Sequence, residues 1–309
     1  MNIIDLHCDT LTEINKHGTA MSNNCHHFSL SRLPEQVGWL QFFAIFMPDE
    51  LRGAAASEYF DQVYGCWKKQ LQTYPGQLVQ VKSQGDIDAA WQQDKCAGIL
   101  TVEGGSALCG ELERVAYLAD CNVRMLTLTW NAQNEIGGGQ AEDTVLTQFG
   151  CRVIPELENH NIIIDVSHLG DKAFWQLTQL VRRPLVASHS NSRKICPHGR
   201  NLTDEQFRWI SRQNGLVGLV YCPQFISANR NDASVEQMAR HLRHFIDLGG
   251  EDTVALGSDY DGTDVPLELD SPEKIPPMGE RLVQMGFTPA QVEKLFYKNA
   301  RAFLERYSF

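Results

Sequence analysis

The sequence predicts an α/β fold of the (β/α)8 kind, a TIM barrel. Three observations predict it. Eight short apolar segments of β type are spread over 309 residues. Most are continuous apolar runs, which suits parallel strands buried on both faces. Segments of helical period separate most of them, and the alternation of strand and helix is the pattern of a parallel barrel.

The first strand is expected at Ile3–His7 and the second within Trp39–Met47, a run rich in Phe and Ile. The third is Ala97–Val102, the fourth Arg124–Thr129, the fifth Ile162–Ser167 and the sixth Pro184–Ser188. The seventh is Gly215–Tyr221 and the eighth Thr253–Ser258. Helices are expected over Ser57–Tyr74, Glu111–Ala119, Thr144–Asn159, Ala173–Leu180, Thr203–Gln213, Ser234–Leu248 and Pro272–Met285. A final helix over Thr288–Arg306 opens with a cap followed by proline. Asp171, Thr203 with Gln206, and Ser234 with Gln237 read as further caps. No dinucleotide fingerprint follows the first strand, which lowers an open doubly wound sheet. Gly137-Gly138-Gly139 reads as a flexible loop, because no Gly-Lys-Ser/Thr follows it. No Pro- or Gly-rich linker divides the chain, so residues 1–309 read as one barrel domain.

The hydrophobic fraction of 43% supports a large core. A net charge of −11 argues against nucleic-acid and anionic-membrane partners. The nine cysteines are scattered, odd in number and without a C-x-x-C, so reduced thiols in a cytoplasmic protein are expected. Cys96, Cys121 and Cys151 read as core fillers. Neither a signal peptide nor a membrane-spanning run is visible.

In such a barrel, function collects at the carboxyl ends of the strands. His7 and Asp9 close the first strand, and residues two apart project to the same side. Asp5 shares that side. Glu103 ends the third strand, His168 the fifth, His189 the sixth and Asp259 the eighth. A buried glutamate is costly unless paired or metal-bound. Each histidine alone reads as a satisfied core or rim residue, a reading that fails for the whole set. Six such residues exceed one tetrahedral zinc, which takes three or four protein ligands. They suit two metals about 3.5–4 Å apart sharing a bridging carboxylate, which can hold a hydroxide and polarise a carbonyl. A carboxylate outside the ligand set can then shuttle the proton.

The ordered motifs Asp5-Leu6-His7-Cys8-Asp9, Val102-Glu103-Gly104-Gly105, Leu126–Asn131, Ile164–His168, Ser188-His189-Ser190, Gly199–Leu202 and Gly257–Gly262 carry a resemblance. The chain resembles, nearly end to end, the renal (membrane) dipeptidase family of di-zinc metallopeptidases, in its bacterial-type branch. The resemblance implies hydrolysis of dipeptides, L,D-dipeptides among them, and two Zn2+, while mixed His and carboxylate donors also accept Mn, Co or Fe. It implies that His7 and Asp9 bind one metal, His168 and His189 the other, and that Glu103 bridges them. Asp259 becomes the uncoordinated acid and base. Arg200 falls where the family grips the substrate's terminal carboxylate, a task its forked donors suit. Many members carry a substrate-contacting histidine after the fourth strand. Here Trp130 and Asn131 stand at that place and become candidate substrate-binding residues, Asn131 as a donor. The expected partner is a small peptide substrate, and the family suggests a homodimer.

Other readings stay open. The metals can serve a related amidohydrolase acting on another amide, lactone or ester. A non-catalytic homologue is the third reading, supported only by Trp130. His26-His27 reads as a solvated loop. His241 and His244 read as a charged outer helix face. His198 is a candidate substrate contact beside Arg200. Cys8 points away from the ligands, and Asp261-Gly262 reads as a turn.

Overall fold

A computed structural model describes residues 2–307 of the chain. The strands are β1 (Ile3–Cys8), β2 (Trp39–Phe46), β3 (Leu78–Gln80), β4 (Cys96–Glu103), β5 (Val123–Thr127), β6 (Ile163–Asp165), β7 (Val186–Ala187), β8 (Leu216–Leu219) and β9 (Val254–Leu256). All pairings are parallel. β2 pairs with both β1 and β4, which closes an eight-stranded ring in the order β1-β2-β4-β5-β6-β7-β8-β9. This is the expected (β/α)8 barrel.

Among the described residues β3 is the one strand outside the ring, and the sequence did not predict it. It pairs with the first residues of β4, Leu78 against Cys96 and Gln80 against Gly98. β5 takes over that edge from Leu100 onward. Three residues are too few to show a period. The late strands are shorter than expected because their outer residues leave the ladder for side-chain partners. Ser188 N–H, for example, donates to the Asp165 carboxylate at 2.9 Å.

Helices fill the connections: α1 (Thr10–His17), α2 (Gly53–Thr73), α3 (Gln84–Gln92), α4 (Glu113–Asp120), α5 (Gln148–Asn159), α6 (Asp171–Leu177), α7 (Asp204–Arg212), α8 (Pro223–Ile226), α9 (Val235–Asp247), α10 (Ile275–Gln284), α11 (Pro289–Glu293) and α12 (Asn299–Arg306). α1 was not anticipated; it spans two turns and stops at Gly18, which takes a left-handed conformation. Thr203 and Thr288 form reciprocal capping boxes with Gln206 and Gln291. Asp171 is not a cap. Gly170 holds that position, and the Asp171 carboxylate binds Arg193 instead.

Two apolar clusters sit on the two sides of the barrel wall. One gathers Ile4, Leu6, Phe42, Ile99, Met125, Ile163, Val186, Leu216 and Ala255 with Phe303, Leu304 and Tyr307, so every ring strand contributes and α12 packs against them. The other joins the opposite strand faces to the surrounding helices. Among the described residues no helix is long and apolar enough to cross a membrane.

Candidate metal centre

The first site residues depend on a bulge in β1. Asp5 pairs with Gln41 and Cys8 with Phe43, so Leu6 and His7 together stand against Phe42. The extra residue reverses the alternation of side chains. Leu6 joins the inner cluster, Cys8 the outer one, and His7 turns toward the other site residues. Asp5 therefore does not share the side of His7, contrary to the sequence reading. Asp9 lies just past the strand, at the cap position of α1, and its N–H donates to the Tyr260 carbonyl at 2.8 Å. His7 Nε2 is 3.4 Å from Asp9 Oδ2.

Glu103, at the end of β4, reaches both halves of the cluster. Its Oε1 lies 2.9 Å from His168 Nε2 and 3.4 Å from His189 Nε2, while Oε2 lies 3.7 Å from His7 Nε2. Gly104 follows at φ 114°, and a side chain there would press on Met47. His168 Nε2 and His189 Nε2 face each other at 2.9 Å. His168 and Asp259 are both non-glycine residues in the left-handed region, at φ 67° and 61°. Such strain persists where the surroundings over-determine it, and it concentrates at functional sites. Asp259 Oδ1 stands 3.8 Å from His7 Nε2. Gly262 abuts Asp9 and Asp259 so closely that any Cβ would collide with both carboxylates.

The electrostatics favour a cation. Burial opposes charge on His7, yet Glu103, Asp9 and Asp259 outweigh it and lift its pKa to about 10. Burial, reinforced by Asp9, pushes Glu103 well above the usual carboxylate range. Burial likewise raises Asp259 to about 7, against the attraction of His7. Burial drives His168 and His189 the other way, so their imidazoles stay neutral with a bare nitrogen for a ligand. Among the described residues, both ring nitrogens of His7 and one Asp9 oxygen are buried without a hydrogen-bond partner. His7, Glu103 and His189 bring one donor atom each within 4.8 Å of one another, as do His7, Asp9 and Asp259. Mixed imidazole and carboxylate donors of this kind fit divalent transition metals.

Two buried aspartates brace the site. Asp5 Oδ1 accepts from Ser258 N–H at 2.7 Å and Oδ2 from Ser258 Oγ–H at 2.6 Å, with Gln41 Nε2 at 2.9 Å. Asp165 repeats the device: Oδ1 accepts from Ser188 N–H at 2.9 Å and Oδ2 from Ser188 Oγ–H at 2.6 Å, with Thr127 Oγ at 2.6 Å. Each serine immediately precedes a site residue, Asp259 or His189. The motif Asp-Val-Ser-His was noticed in the sequence, but nothing there separates a bracing aspartate from a ligand.

A cleft of about 280 Å³ opens over the cluster, lined by Asp9, Glu103, Trp130, His168, Phe225 and Asp259 among others. Phe225 was not anticipated, since it follows a strand end that carries no polar motif. Trp130 stands edge-on to Phe46 at 5.0 Å. Asn131 reaches the site, but its side-chain oxygen faces His168 Nδ1 at 3.0 Å. Arg200 is buried beside the cleft, with its guanidinium 5.4 Å from the Phe225 ring and Nη2 donating to the His189 carbonyl at 3.4 Å. Among the described residues no carboxylate pairs with it, and its Nε has no partner. His198 packs on Phe225 and accepts from the Arg200 N–H at 3.1 Å.

Several residues set aside from the site have definite tasks. His27 N–H and Thr10 Oγ–H both donate to Asp261 at 2.5 Å, so that aspartate ties the start of α1 to the loop after β9. His241 is fully buried rather than on a charged face, because α9 turns it toward the loops after β7 and β8. His244 pairs with Asp204 at 2.7 Å. All nine cysteines are free, and burial pushes the Cys8 thiol far up. Gly137, Gly138 and Gly139 are buried, not loose: Gly138 accepts from Gly170 N–H, and a Cβ on Gly139 would collide with the Trp130 and Asn131 carbonyls.

Known proteins share this fold. The model of the membrane dipeptidase family, peptidase family M19, matches residues 1–306. A metallo peptidase from Rhodobacter sphaeroides, solved with a phosphinate mimic of the dipeptide L-Ala-D-Ala, superposes with a TM-score of 0.93 at 25% identity, covering 100% of this chain and 99% of that one. The dipeptidase AC, a metallo peptidase of family M19, gives 0.93 at 26% identity with the same coverage. An uncharacterized protein of the pqqA 5′ region in Klebsiella pneumoniae is 33% identical over 235 residues, 72% of this chain and 87% of its own length. The chain belongs to the membrane dipeptidase family, peptidase family M19, and is a metal-dependent hydrolase.

Proposed function

We propose that the chain is a binuclear dipeptidase, working as a single catalytic domain and using zinc as its metal. The observation that carries this reading is Glu103, whose two oxygens face separate donor sets: His168 and His189 on one side, His7 on the other. His7 and Asp9 would hold one metal, His168 and His189 the second, and Glu103 both. Bound there, the metal pair supplies Lewis acidity, lowering the pKa of water and polarising the scissile carbonyl.

The remaining work falls to this chain's own groups. Asp259 lies against the cluster but is the least tied to it, so it takes the proton from water and returns it to the leaving amine. Among the described residues Arg200 lacks a carboxylate partner, and a buried cation of that kind calls for an anion. It holds the terminal carboxylate of the dipeptide, with Phe225 and His198 shaping that end. Trp130 and Phe46, which stand edge to face, line the cleft with Asn131 and pack on the substrate. Acceptance of a D-residue at the carboxyl end is supported by the L-Ala-D-Ala mimic held by the Rhodobacter sphaeroides relative.

Glu103→Ala tests the reading. It should remove bound metal and abolish turnover, measured by metal analysis together with a dipeptide panel of L,L and L,D members beside lactones and cyclic amides. An active, metal-replete variant would sink it. Hydrolysis of lactones but no dipeptide would move the chain to the wider amidohydrolase chemistry.

A further inference from the structure

We infer that Asn131 is a positioning residue of the His168 half of the metal centre, and that the two halves hold metal with separable affinities. The inference rests on the binuclear reading above. An imidazole binds metal through one nitrogen, and the group facing its other nitrogen fixes tautomer and ring direction. Asn131 Oδ1 stands 3.0 Å from His168 Nδ1. A carbonyl oxygen only accepts, so Nδ1 carries the proton and Nε2 is left bare. That bare Nε2 is the atom aimed at Glu103 and His189.

The backbone holds this pair in register. Gln140 N–H donates to the His168 carbonyl at 2.7 Å, and Ala141 N–H donates to the Asn131 carbonyl at 2.9 Å. One short strap, entered through Gly139, thus anchors both partners. A side chain on Gly139 would clash with the carbonyls of Trp130 and Asn131, so the strap reaches its place only with glycine there.

The two halves differ in this respect. His189 is backed as well: its Nδ1 lies 2.8 Å from Ser188 Oγ, whose proton goes to Asp165. Among the described residues His7 has no such partner, and its buried Nδ1 makes no hydrogen bond. His7 is instead surrounded by the carboxylates of Asp9, Glu103 and Asp259. One half is therefore held by oriented neutral imidazoles and the other by negative charge. Removing the acceptor behind His168 acts on the first and leaves the second.

Zinc titration of the purified protein against a competing chelator, with cobalt absorption as a second readout, tests the assignment. Asn131→Ala should weaken one of two metal equivalents by about 10–100-fold and leave the other in place. Asn131→Asp, which keeps an acceptor oxygen, should restore most of the loss. Ser188→Ala should weaken that same equivalent, which guards against a fault peculiar to the Asn131 loop. Equal weakening of both equivalents, or an Asn131→Ala curve superimposable on the wild type, overturns the role of Asn131. Fewer than two equivalents in the wild-type protein overturns the binuclear reading, and this inference with it.

Discussion

His241 carries both ring nitrogens in backbone hydrogen bonds. Nδ1 accepts from Ser192 N–H at 3.1 Å and Nε2 donates to the Ile226 carbonyl at 2.9 Å. Only the neutral ring with its proton on Nε2 satisfies both. Burial, aided by Arg240 and His244, accordingly lowers its pKa from 6.5 to about 4. The unfolded chain takes up a proton near pH 6.5 that the folded chain refuses until near 4. Stability from this group is thus complete above about pH 6.5 and is lost as pH falls toward 4, by roughly 3 kcal/mol in all. Urea denaturation across that window should show a shallower acid decline for His241→Gln, which keeps an acceptor and a donor but does not titrate. An unchanged slope would refute the assignment. The same residue marks where sequence reading stops. His7, Asp9, Glu103, His168, His189 and Asp259 were legible because their side chains carry chemistry and fall at strand ends. The surroundings of His241, and the partner of Asn131, depend on loops that no local period specifies.

Elements decide what those residues face. The bulge in β1 separates Asp5 from His7, although their spacing suggests a shared side. The loop after β7 shows the same dependence. Arg193 grips Asp171 with two hydrogen bonds, at 2.6 and 2.9 Å, and donates to the carbonyls of Gly199 and Asn201 at 2.8 Å. Those carbonyls flank Arg200, so the clamp sets where the guanidinium proposed to hold the substrate carboxylate sits. Arg193→Ala should raise KM for dipeptides roughly tenfold, about 1.4 kcal/mol, with a smaller change in kcat. A dipeptide amidated at its carboxyl end should show no added penalty. A rise shared by both substrates would mean that the clamp serves the fold rather than carboxylate binding. Neither bulge nor clamp is written in a period of two or 3.6, whereas the strands and most helices are.

At the scale of the molecule, the barrel itself was legible, since repeated apolar runs and amphipathic segments leave few other ways to bury both strand faces. β3, α1, α3 and α8 escaped, β3 and α8 because three or four residues show no period, and none of the four alters the ring. The catalytic mouth is fixed by something other than the ring: Asp5 on β1 and Asp165 on β6 each fasten a serine next to a site residue. Three strands separate β1 from β6 in either direction around the barrel. The mouth is therefore pinned at two opposite walls by a handful of polar bonds, while the wall is closed by a continuous ladder and two apolar clusters. Heating should release the pins first. Activity lost on a temperature ramp should precede the loss of far-ultraviolet circular dichroism, and it should return on cooling when the ramp stops between the two. Coincident loss would mean that mouth and barrel melt as one.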